Sequence, residues 1–150
     1  MKIRYFTGLV FTALVLVFTG RVCGGGFFIF IEITSILIAI IFPLVFMLIM
    51  YGRKEISASF SVLFNETPDK KVLENAKGFF ENYRKTENAL AVAAFIINII
   101  VVFATLEYKE TLLVNIAVAL IVLLYAGIIN IAIIIPYNII IHKKIMEMEK

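Results

Sequence analysis

The dominant constraint in this sequence is where its charges are missing. Residues 5–20, 27–50, 89–106 and 112–141 contain almost no Asp, Glu, Lys or Arg, the one exception being Glu32 near the start of the second run. Crossing about 30 Å of hydrocarbon takes roughly 20 helical residues, so each run is a candidate membrane span. The last exceeds what a bilayer needs and should tilt or project into water at one end. Hydrophobic residues make up 62% of the 150, and the mean hydropathy is +1.01. A soluble domain of this length lacks the interior to bury so much apolar surface. The expected fold is all-α: one integral membrane domain over residues 1–150, with four transmembrane helices in two antiparallel hairpins and a charged helical loop at 52–88.

The basic residues orient the spans. With both termini and the middle loop inside, Lys2, Arg4, Arg53, Lys54, Lys70, Lys71, Lys77, Arg84, Lys85, Lys143, Lys144 and Lys150 face the cytoplasm, leaving Arg21 and Lys109 outside. Cytoplasmic loops carry the Lys and Arg excess, so N-in, C-in topology in a bacterial-type inner membrane is expected. The net charge of +3 is then a topology signal, and no nucleic-acid partner is implied. The opening residues also resemble a signal peptide with a lone Cys23. Arg21 and Val22 stand where such cleavage sites want small residues, which argues against processing.

The loop at 52–88 is patterned. Ile56, Phe60, Leu63 and Phe64 repeat at helical spacing, FNETPDKK interrupts them at Pro68, and Val72, Ala76, Phe79, Phe80 and Tyr83 resume on one face, with Asp69 onward serving as a helix start. Two short amphipathic cytoplasmic helices are predicted, the second running into the third span. Their apolar faces require cover from a neighbouring subunit or the membrane surface.

Catalytic chemistry is sparse. The single histidine, His142, lies at the inner end of the fourth span beside two lysines, a position that suits an interfacial cap. No nucleophile and base pair, phosphate loop or metal-ligand spacing appears, so neither an enzyme nor a bound cofactor is expected. Glu32 is the one ionisable group placed within a span. It reads either as an ion-handling acid or as a helix-start acid. Asn98, Asn115, Tyr125 and Asn130 are polar residues of the last two spans, where packing between helices is their ordinary role. Pro136 removes a backbone donor and predicts either a kink or a helix exit.

The stretch AVALIVLLYAGIINIAIIIP resembles the last transmembrane helix of the flagellar motility protein A (MotA) family, within the MotA/TolQ/ExbB proton-channel group, including the eleven-residue step from Tyr125 to Pro136. FATLEYKETLLVNIAVAL and FIEITS followed by ILIAI resemble two further segments of that family in the same order. The resemblance implies a homo-oligomeric ring, usually a pentamer, around a single-span MotB/ExbD-like partner that brings an essential aspartate. Proton or sodium flow at that interface would drive movement. It also places Tyr125 and Pro136 on the ion path, with Asn98 and Glu32 as further candidates, and uses Ala117, Ala119 and Gly127 for close helix approach.

The departures matter as well. The family's paired threonines fall at Val122 and Leu123, its third-span proline at Asn88, and the large rotor-contacting loop is absent. Hydrophobic replacements dewet an ion path. The expected function is therefore a compact ion-channel, stator-type subunit coupling ion flow to work; the second reading is a non-conducting structural oligomer of the same descent.

Overall fold

The computed structural model describes residues 2–22, 31–65, 68–104 and 112–148, and among them every regular element is helical. The elements are α1 (Lys2–Val22), α2 (Ile33–Ile36), a first π-helical segment (Leu37–Ile41), α3 (Phe42–Ser61), α4 (Lys70–Ala104), α5 (Leu112–Ile129), a second π-helical segment (Asn130–Ile134) and α6 (Ile135–Met148). The continuous helical runs Ile33–Ser61, Lys70–Ala104 and Leu112–Met148 are long and apolar enough to cross a membrane; the apolar stretch of α1, Tyr5–Arg21, is shorter. Cys23 and both predicted external connections, apart from Arg21 and Val22, lie outside the described residues.

Each boundary has a local cause. Glu32 precedes the second helical run in an extended conformation, and its carboxylate accepts from the amides of Thr34, at 3.0 Å, and Ser35. An acid there satisfies orphan amide donors and faces the positive end of the helix. Of the two readings of Glu32, the structure supports the helix-start acid: the helix it caps begins at Ile33, and residues 27–30 of the predicted span lie outside the described residues. Within α3, Gly52 adopts φ 78° and ψ 160°, which separates the apolar part of that helix from its more polar continuation. Only glycine takes this conformation without strain. The chain turns after Ser61, and the Asp69 carbonyl accepts from the amides of Val72 and Leu73, opening α4 where the sequence placed a helix start.

The runs Ile33–Ser61, Lys70–Ala104 and Leu112–Met148 pack antiparallel in sequence order, whereas α1 lies against the second π segment and Tyr137 of the last run rather than pairing with the run that follows it. Tyr51 meets Phe79 and Asn82, Phe80 meets Tyr137, and Ala91 and Ala94 share a cluster with Val122 and Ala126. The densest core lies at one end, where the rings of Phe60, Phe79, Phe80 and Tyr137 meet with centroids 4.7–5.9 Å apart, edge to face except for the tilted Phe80–Tyr137 pair. Tyr5 of α1 joins through Tyr137 at 5.6 Å. The start of α1, the loop helices and α6 therefore meet at the same end of the bundle.

Two expectations need correction. The amphipathic faces of the loop helices require no subunit or membrane to cover them, because Ile56, Phe60, Val72, Ala76, Phe79 and Phe80 pack on one another and on Tyr137, Ile140 and Ile141 of α6. Phe64, read as part of that face, lies beyond the last turn of α3 and is exposed. Pro136 is not a helix exit, since α6 continues to Met148. The long fourth helix uses its surplus length to cover the loop helices.

Candidate functional site

One buried acid breaks the apolar interior. The inward stripe of α4 reads Leu73, Ala76, Phe80, Tyr83, Glu87, Ala91 and Ala94, steps of three and four that keep one face of a helix against its neighbours. Glu87 occupies a position otherwise reserved for apolar or aromatic residues and is 0% exposed. Its Oε2 accepts from Asn130 Nδ2 at 3.1 Å, and its Oε1 has no partner.

The Asn130 amide is overcommitted. It has two hydrogens, yet its nitrogen lies 3.1 Å from Glu87 Oε2, 3.1 Å from Asn88 Oδ1 and 2.8 Å from the Ala126 carbonyl. Asn130 Oδ1 is itself buried without a partner. The cluster thus holds more acceptors than donors. A buried carboxylate that meets one neutral amide costs several kcal/mol unless a proton or cation joins it, by about the penalty for an unpaired charge.

The backbone around this site is irregular. Asn130 is the first residue of the second π segment, and Pro136 follows two residues after its end; the first π segment stands in the same relation to Pro43. Proline lacks an amide hydrogen and crowds the carbonyl four residues back, here Ala39 and Ala132. Widening the preceding turn to i→i+5 bonding relieves that conflict, as in the Phe42 amide to Leu37 carbonyl and Ile135 amide to Asn130 carbonyl bonds. π-turns concentrate at functional positions. The Tyr83 hydroxyl donates to the Ile40 carbonyl of the first π segment at 3.5 Å, so both π segments contact the α4 stripe within about one turn of each other.

The residues singled out from sequence are dispersed. Val122 is 0% exposed, packed with Ala39, Ala91, Ala94 and Ala126, while half-buried Leu123 and Tyr125 flank that cluster. Asn98 and Pro136 are half-buried on α4 and α6, and Glu32 caps α2. Ala119 is buried, whereas Ala117 and Gly127 are exposed. Asn88, read as the replacement for a proline, joins Asn130.

Sequence reasoning passed over Glu87 because it closed the charged loop at residue 88, one position beyond it. The signal was nonetheless present in the heptad-like spacing of the stripe. Lys144 was missed in the same way: counted as a cytoplasmic charge, it is only 7% exposed, and its Nζ donates to the carbonyls of Val62, at 2.7 Å, and Asn65. No group of three or more His, Cys, Asp or Glu side chains suited to a metal occurs among the described residues. Compared with known families, curated proteins and solved structures, the chain matches none of them.

Proposed function

We propose that this chain is a multi-pass membrane protein with four spans, N-in and C-in in a bacterial-type inner membrane, forming the ring subunit of an ion-coupled complex of the MotA/TolQ/ExbB type. The observation that carries the reading is the Glu87–Asn130 pair, an acid and an amide held between α4 and the π-bulged fourth helix in an otherwise apolar interior. A buried ionisable group at the edge of a membrane span is costly, which makes it a candidate for ion handling. The lipid-like exterior supports membrane residence: Phe11, Phe18, Ile49, Ile97 and Leu113 all face outward, more apolar surface than a soluble monomer exposes. The common placement of the α1 start, the loop helices and α6 at the end rich in Lys and Arg supports the orientation.

In this reading, copies of the chain surround a single-span, MotB/ExbD-like partner, and protons or sodium ions crossing at the shared interface drive relative movement. A specific observation favours the alternative, a non-conducting structural oligomer: Val122, one of the two positions aligned with the family's threonines, is sealed inside the protomer. Native mass spectrometry of the complex extracted in nanodiscs separates the two. A ring holding a single-span chain with an intramembrane aspartate is the expected result. A homo-oligomer without a second chain supports the structural alternative.

A further inference from the structure

We infer that Glu87 and Asn130 form a proton-binding site belonging to this chain itself, independent of any acid a partner brings. The site stands on three observations. Glu87 is fully buried; one of its oxygens and the Asn130 carbonyl oxygen lack partners; and the Asn130 amide that bonds Glu87 is shared among three acceptors. What is missing is a donor. A proton on Glu87 supplies one hydrogen and removes the uncompensated charge in the same step. A metal cation fits less well: hard cations take about six or more oxygen ligands, and only two buried acceptors of this pair are unpartnered.

The surroundings suit reversible occupancy by a proton. Tyr83, one turn earlier on α4, is the titratable neighbour close enough to feel the carboxylate's charge. On the packed elements, residues 33–41 carry no ionisable side chain, α5 carries Tyr125 alone, the second π segment carries none, and α1, which touches that segment, brings Tyr5 into the aromatic contact with Tyr137. On α3, Arg53, Lys54 and Glu55 are exposed, and Tyr51 bonds Asn82; on α6, His142, Lys143 and Glu147 are exposed, Tyr137 lies in the aromatic cluster and Lys144 is committed to Val62 and Asn65. Of α4's own charges, Arg84 and Lys85 point outward. Because Asn130 opens the second π segment, loss of the proton would change the hydrogen bonding of the turn that leads to Pro136.

This inference deepens the ion-coupled reading and rests on it for what the proton accomplishes; proton binding itself is read on the full chain alone in nanodiscs. The experiment is attenuated-total-reflection infrared spectroscopy across a pH series, in sodium and then in potassium buffer. The expected result is a protonated-carboxyl band at neutral pH that disappears reversibly on alkalinisation, is indifferent to the cation, and is lost in Glu87→Gln. If that variant does not fold, Glu87→Asp serves instead, and the band must shift in frequency. A Glu87 signal that stays ionised throughout the acid-to-neutral range overturns the proposal. A band abolished by sodium at constant pH overturns it in favour of a cation site. If the band is present but native mass spectrometry finds no partner, the coupling reading fails while the proton site stands.

Discussion

Lys144 Nζ donates to the Val62 carbonyl at 2.7 Å, which fastens the last helix of the chain to the C-terminal end of α3. The same ammonium also bonds the Asn65 carbonyl, so a cation sits where the helix leaves its final carbonyls unpaired and its dipole is negative. Lys144→Met keeps the apolar stem and removes the donor. With buried carbonyls left unsatisfied, it should cost about 1–3 kcal/mol. Thermal unfolding in detergent checks this: a clear drop in Tm is expected, with Lys144→Arg closer to wild type.

Gly52 permits a second, independent test. A Cβ at this position would meet nothing within 4 Å, so the space for alanine exists and only the backbone objects. With φ at 78° and ψ at 160°, Gly52→Ala should destabilise by about 1–3 kcal/mol, or straighten α3 and pull the loop helix off α4. Protease sensitivity of the segment around residues 62–68 distinguishes intact from detached packing.

Phe80 touches Phe60, Phe79 and Tyr137 and is almost completely buried. Truncation to alanine removes the ring on which three elements converge and should cost about 3–5 kcal/mol. Phe64→Ala, on an exposed side chain of the same loop, should change stability far less. Comparing the two Tm shifts tests whether this segment is a packed core or a surface awaiting a partner.

Pro136→Ala restores an amide hydrogen two residues past the second π segment. The turn is then free to tighten to i→i+4 bonding, which rotates Asn130 relative to Glu87. Slower amide hydrogen exchange over residues 130–138 is the expected outcome, together with a shift in the Glu87 infrared band; unchanged exchange would remove the proline as the cause of the π-turn.

Leu123→Thr returns a hydroxyl to one of the two positions where the resembling family has threonine. Half-buried Leu123 tolerates this better than fully buried Val122, which has no room to hydrate a hydroxyl. If the complex conducts, ion flux in proteoliposomes should rise or hold; a loss of flux with intact assembly places the path elsewhere.

Periodicity and the absence of charge were sufficient to determine helices, because each apolar run must satisfy its backbone internally whatever surrounds it. The break at Pro68, the start at Asp69 and the amphipathic loop stripes were legible for the same local reason. What only the tertiary structure decided was the fate of individual polar residues. Whether Glu87 and Lys144 point to water or inward depends on which helix lies opposite, and that depends on contacts between residues 43 and 82 positions apart in the chain. Sequence read each as a charge among charges. Packing placed Glu87 against Asn130 and Lys144 against the end of α3, because a buried ionisable group is tolerated only where another element brings it a hydrogen-bonding partner.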